Sequence, residues 1–148
     1  MRFVLASKSP ARLMTLRRAG ADPEVIVSGV DESSVIAGSP KLLTSTLATL
    51  KGEAVVALLD AAEDAVVVAC DSVLEFDGKA QGKPGTAPAA RALWRKLAGR
   101  SGVLHTGHHV VVLRGGTRRS ATRVGSTLVR FADPTDEEIA AYIATGEP

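Results

Sequence analysis

The segment that most constrains this chain is Ala65-Val66-Val67-Val68-Ala69-Cys70, an unbroken apolar run closed by the charged Asp71. A run that does not alternate reads as a strand covered on both faces, the central strand of an α/β sheet. It is expected to stop at Asp71-Ser72. That would set a carboxylate at the carboxyl edge, where α/β sheets gather their ligands. Around this strand the order is β-α-β-α-β, then a helix, a β-ribbon and a helix. Residues 3–6 form a short strand, and Ser9-Pro10 cap a helix over 11–19 that ends at Gly20. Residues 24–28 make the next strand. A longer helix over 41–59 presents Leu43, Leu47, Leu50, Ala54 and Ala57 on one face, with Lys51 bordering it. A helix over 87–98, strands over 103–113, 117–124 and 126–131, and a last helix after the capping box Thr135-Asp136-Glu137-Glu138 complete the chain. No repeat or linker interrupts this, so one mixed α/β domain over 1–148 is expected.

Composition narrows the class. With 148 residues the chain can bury a real core, and aromatics at 3% give little of the stacking surface that single-stranded nucleic acid binders use. A net charge of +2 calls for neither a nucleic acid polymer nor a membrane as partner. The single cysteine, Cys70, reads as a small buried hydrophobe and leaves no cysteine-based zinc site. The N-terminal apolar stretch is too short for a signal peptide, and no run reaches membrane-span length, so a cytoplasmic protein is expected.

Four places could carry chemistry. Ser7-Lys8-Ser9-Pro10-Ala11-Arg12 opens a helix whose free N–H groups and dipole favour an anion, although the serine and proline also read as a plain cap. Asp71 could hold a metal or act as a base on water, or simply bond backbone N–H groups at its strand end. Gly78-Lys79-Ala80-Gln81-Gly82-Lys83-Pro84 resembles a P-loop, but it is one residue short and has proline where the magnesium-binding hydroxyl belongs. Lys83 could still meet a phosphate as a point charge, or be a solvated turn lysine. Asp31-Glu32 is a carboxylate pair suited to magnesium, or a local cap. Of the histidines, His105 and His109 share one strand face and His108 takes the other. With no cysteine or carboxylate near in sequence, zinc is not expected there.

Taken in order, these segments resemble the motifs of the Maf (septum formation) family. The resemblance runs through Leu5-Ala6-Ser7-Lys8-Ser9-Pro10-Ala11-Arg12, Val30-Asp31-Glu32, Leu47-Ala48-Thr49-Leu50-Lys51, Ala69-Cys70-Asp71-Ser72 and Gly82-Lys83-Pro84. It continues through Leu97-Ala98-Gly99-Arg100, Thr106-Gly107, Thr127-Leu128-Val129-Arg130-Phe131 and Tyr142-Ile143-Ala144-Thr145-Gly146-Glu147-Pro148. The resemblance implies a two-lobed α/β fold like that of the inosine triphosphatases, with a central cleft. It also implies a nucleoside triphosphate pyrophosphatase that yields a monophosphate and pyrophosphate with a divalent metal, Mg²⁺ or Mn²⁺. On that reading Asp71 activates water and also faces the metal with Glu32. Ser7, Ser9, Arg12, Ser72, Lys51 and Lys83 line the substrate site. A homodimer is a further family expectation. The sequence departs from the family at Ala11, where a second arginine is usual, at Ser72 in place of threonine, and at Gly102, nearest to a usual histidine. Against the family's pattern the sequence reads as truncated before a glycine-rich C-terminal segment, and this together with Ala11 and Ser72 leaves the nucleobase open. A non-catalytic nucleotide-binding or cell-division regulator on the same fold is the competing reading.

Overall fold

Residues 1–60 and 62–146 are described by the computed structural model. Strand β1 (Arg2–Ala6) turns at Ser7-Lys8-Ser9 into helix α1 (Pro10–Arg18). The short β2 (Glu24–Val25), a single 3₁₀ turn at Glu32–Ser34 and the long helix α2 (Pro40–Val56) follow. Strands β3 (Ala65–Phe76) and β4 (Lys79–Gln81) come next, then α3 (Ala87–Leu97). A ribbon of β5 (Ser101–Arg114) and β6 (Thr117–Arg130) leads to α4 (Asp136–Ala144). The strands form one six-stranded mixed sheet in the order β2-β1-β3-β5-β6, with β4 on the edge of β3. β2, β1 and β3 run parallel, while β4, β5 and β6 pair antiparallel.

Three expectations for β3 and β6 change, and the strand expected over 24–28 is only the two residues of β2. First, β3 does not stop at Asp71: it continues to Phe76, because β5 pairs with it without a break from Ala65 to Glu75. A ladder on one side suffices to carry a charged residue through a strand. Second, β3 is not covered equally on both faces. Ala65, Val67 and Ala69 are fully buried under α2, while Val66 and Val68 on the other face are half-buried. Third, β6 runs through Gly125 as one strand, since nothing crowds that residue and its ladder with β5 is complete. The turn Asp77-Gly78 has both residues at positive φ, 50° and 71°, the requirement of a tight hairpin turn, and it folds β4 back onto β3.

Helix α2 packs through Thr44, Leu47, Ala48, Lys51, Gly52 and Val55, an i, i+3, i+4, i+7 stripe of which all but half-buried Lys51 are buried. The buried stripe is thus rotated from the expected leucine face, and Leu50 is left exposed. Close approach decides the choice. Thr44 lies directly over Gly107, where a Cβ would strike its carbonyl, and Gly52 lies over His109 and Ala69. Small residues at those positions bring the helix down where leucines would hold it off. Val4, Ala6, Val55, Ala65, Val67, Ala69, Val111 and Leu113 form the resulting core.

A second cluster sits on the far ends of the same long strands, with α3 and α4. Trp94 meets Phe131 and Tyr142 edge-on at centroid distances of 6.1 and 5.5 Å, over buried Leu97 and Ile139. Phe76 joins it beneath the cations of Lys96 and Arg100, at 5.2 and 4.4 Å. Two lobes therefore share β3, β5 and β6. Between them β1 ends opposite Ala69 and β4 ends opposite Leu74, so residues 70–73 of β3 have no strand on that side. The end of the family resemblance, Glu147-Pro148, lies outside the described residues.

Candidate active site

The bare stretch of β3 is where the sequence-predicted residues meet. Because β1 stops at Ala6, the chain leaves the sheet at this edge, and the N-terminus of α1 is set beside it. Ser9 caps α1, accepting from the Arg12 N–H at 3.4 Å, and Ser7 Oγ accepts from the Ser9 N–H at 3.2 Å. Arg12 then reaches across the edge. Its Nη1 donates to Ser7 Oγ at 3.1 Å and to the Cys70 carbonyl at 2.9 Å, and its Nη2 donates to Ser72 Oγ at 3.0 Å. Ser72 Oγ in turn lies 3.0 Å from Thr106 Oγ1 on β5. Arg12 thus takes up a β3 carbonyl that no neighbouring strand pairs with.

Asp71 points to the α2 side. Lys51 Nζ lies 2.6 Å from Asp71 Oδ1 and 2.8 Å from Glu32 Oε1, so one ammonium joins two carboxylates from distant segments. The Lys51 side chain is 12% exposed and that of Asp71 9%, whereas Glu32 is open at 54%. Burial disfavours the ammonium, but its hydrogen bonds to Asp71 and Glu32 outweigh that, and the Lys51 pKa is raised above its ordinary value. The other carboxylate oxygen of Asp71, Oδ2, has no hydrogen-bond partner among the described residues. Glu32 is presented by the 3₁₀ turn. Asp31 caps that turn, accepting at Oδ1 from the Ser33 N–H at 3.0 Å and its hydroxyl at 2.7 Å, bonds that hold its own pKa low.

Of the expected residues, Ser7, Ser9, Arg12 and Ser72 form one connected group, and Lys51, Asp71 and Glu32 another. Lys83 joins neither. It is exposed and makes no bond among the described residues, although β4 runs antiparallel to β3 and leads it back toward the bare edge. Thr106 is the residue that sequence reasoning missed, because only the β3–β5 register places it opposite Ser72. The histidines divide as their spacing predicts. His105 bonds Glu75 at 2.9 Å and His109 bonds Glu53 at 3.0 Å, both buried, while His108 is exposed. Cys70 is buried as expected, and burial raises its thiol pKa.

No three His, Cys, Asp or Glu side chains among the described residues gather into a metal cage. Asp71 and Glu32 are instead a partial set of hard oxygen donors converging on one cationic point. Carboxylate oxygens are the donors that hard divalent cations take, completed by waters and by oxygens of a bound phosphate. A groove of about 620 Å³ lies elsewhere, between α2 and the β6 edge, lined by Lys41, Thr49, Leu50 and Arg123 among others. It is lined by no carboxylate and no buried cation, so the chemistry favours the Lys51 site over this groove. No described helix is long and apolar enough to cross a membrane.

Residues 2–148 match the family described as Maf-like protein. A nucleoside triphosphate pyrophosphatase of Saccharopolyspora erythraea is 59% identical over 155 residues, covering all of this chain and 74% of that protein. One of Streptomyces coelicolor is 54% identical over 147 residues, covering 99% of this chain and 70% of its own length. Among solved structures, the Ham1 protein of Staphylococcus aureus superposes with a TM-score of 0.55 at 21% identity, over 90% of this chain and 73% of that one. A nucleoside-triphosphatase, dITP/XTP pyrophosphatase, of Mycobacterium abscessus gives 0.50 at 19%, over 88% and 74%. These two likenesses establish the fold.

Proposed function

The chain belongs to the Maf-like protein family, and from that premise we propose that it is a nucleoside triphosphate pyrophosphatase working at the bare edge of β3. The observation that carries the reading is the Lys51 ammonium held between Asp71 and Glu32, beside the capped N-terminus of α1. A triphosphate carries several negative charges, and its hydrolysis is catalysed largely by positioning and charge neutralisation. The N-terminal N–H groups of α1, the hydroxyls of Ser7, Ser9 and Ser72, and the cations Arg12 and Lys51 supply both around one carboxylate, and Lys83 would join them on binding phosphate. Arg12 would have to share the donors it now spends on β3, so its part is to shape the edge as well as to meet a phosphate.

In the proposed reaction the free Oδ2 of Asp71 accepts a proton from water. The water oxygen bonds to the α-phosphorus, and the bond from that phosphorus to the α–β bridging oxygen breaks. Pyrophosphate leaves with the bridging oxygen, the nucleoside monophosphate keeps the new one, and the proton passes from Asp71 to solvent. A divalent cation, Mg²⁺ or Mn²⁺, would be held by Asp71 and Glu32 and would supply charge neutralisation to the phosphates. Lys51 orients Asp71 and adds a positive charge facing the leaving group. We further propose that residues 1–148 act as one domain, with non-standard nucleotides among the substrates. The nucleobase stays open, because Ala11 and Ser72 both depart from the family pattern.

A panel of standard, methylated and deaminated nucleoside triphosphates with Mg²⁺ or Mn²⁺ tests this. Pyrophosphate should appear from at least one of them, and Asp71→Asn should abolish release while nucleotide still binds. Orthophosphate as the first product, or an Asp71→Asn protein of unchanged rate, would sink the mechanism.

A further inference from the structure

Building on that reading, we infer that His109 is a positioning residue that sets the height and roll of Lys51 over Asp71. Lys51 is followed in α2 by Gly52 and Glu53, and both rest on this one ring. A Cβ at Gly52 would stand 2.6 Å from His109 Cδ2 and 3.3 Å from Ala69 Cβ, so glycine alone lets the helix backbone come down to the imidazole. The next residue fixes the ring from its edge. Glu53 Oε1 accepts from His109 Nε2 at 3.0 Å, and the other ring nitrogen, Nδ1, shares a hydrogen bond of 2.7 Å with the Thr122 hydroxyl. Arg118 of β6 also donates to Glu53 Oε1. The ring is 3% exposed and lies on β5 opposite Ala69, two residues along β3 from Asp71.

These contacts give the ring two functions at once. Its Cδ2 edge, with Ala69 Cβ beside it, limits how closely α2 can approach the sheet at Gly52. Its two nitrogens stop the helix from sliding or rolling, since one is tied to α2 and the other to β6. Lysine is a flexible side chain, yet here its ammonium must meet two carboxylates at 2.6 and 2.8 Å. Flexibility alone does not secure that, because a long side chain left free spreads over many rotamers. A helix locked one residue away from the lysine removes most of that freedom. The catalytic pair is therefore specified partly by a histidine that touches neither the substrate nor the reacting atoms.

The test compares His109→Gln and Gly52→Ala with Leu97→Ala, a buried truncation in the other lobe. Pyrophosphate release should fall by about 100-fold in kcat for the first two with little change in KM, as expected for a displaced catalytic group. Leu97→Ala should lower the Tm yet keep kcat. A second readout needs no activity: acetylation of Lys51, mapped by mass spectrometry against Lys8 in the same chain. Lys51 should be slow in the unaltered protein and markedly faster in His109→Gln and Gly52→Ala, and as slow as before in Leu97→Ala. Because His109→Gln keeps a polar side chain in place, it remains informative if Gly52→Ala does not fold. Unchanged kcat and unchanged Lys51 acetylation in His109→Gln would overturn the inference. So would an equal loss of kcat in Leu97→Ala. Failure of the unaltered protein to release pyrophosphate would count against the proposed function alone, since the acetylation arm would still decide the role of His109.

Discussion

The two helices that bring cations to the bare edge of β3 are held in opposite ways. Helix α2 lies against the sheet through a continuous stripe and carries Lys51 within it, so the cation's place is set by packing. Helix α1 buries no residue at all and leaves Met14 half exposed. It is placed by polar bonds: the Ser9 cap, the Ser7 turn and the Arg12 guanidinium docked on Cys70 and Ser72. A packed helix gives a fixed charge, suited to holding a base in position. A helix held by hydrogen bonds can exchange some of them for phosphate oxygens. The site combines one rigid wall with one adaptable wall.

Removing Lys51 should break this contrast most severely. Lys51→Met strips two carboxylates, one of them almost wholly buried, of their counter-charge, and breaking such a pair costs on the order of 3 kcal/mol. Both activity and stability should fall, in pyrophosphate release and in chemical denaturation respectively. Arg12→Lys should behave differently. The bidentate reach to Cys70 and Ser72 is lost while the charge remains, so KM should rise by about tenfold and the denaturation midpoint should move little. If both variants lose stability equally, the distinction between the two walls is wrong.

Packing alone can be probed next. Val55→Ala, at a fully buried position of the α2 stripe, should cost about 2 kcal/mol through lost burial and the cavity left behind. Met14→Ser on α1 should stay within about 0.5 kcal/mol, as for most exposed positions. Between these, Ser9→Ala removes a cap on which α1 depends and should cost about 1 kcal/mol, read from thermal unfolding. A larger loss from Met14→Ser than from Val55→Ala would reverse the comparison.

Much of this arrangement was legible in the sequence, and the reason differs from part to part. Caps are local, so Ser9-Pro10 and the Thr135 capping box read directly. The family motifs named Asp71, Lys51 and Glu32, which the fold does bring together. Register is not local. Nothing near Asp71 tells that β5 will carry β3 straight through it, nor that Thr106 will face Ser72. The buried face of α2 is not local either: its leucines point to one face, while the close approaches of Thr44 to Gly107 and of Gly52 to His109 select another. Lys83 shows the remaining gap. Its motif places it near phosphate, yet it stands exposed beyond β4.

The smallest effect expected is one of pH. The Lys51 pKa is raised on folding, so the unfolded chain gives up that proton at a lower pH than the folded one. The pairing's contribution to stability is then fully present below lysine's ordinary value of about 10.4 and is lost as pH rises through the higher folded value. Between about pH 7 and 9 the Lys51 pairing should therefore add no slope to the denaturation free energy. Above that range stability should fall more steeply in the unaltered protein than in Lys51→Met, which has no such proton to lose. Parallel curves for the two proteins at high pH would mean that the ammonium is not held by Asp71 and Glu32 in solution. The rigid wall would then be no more fixed than the adaptable one.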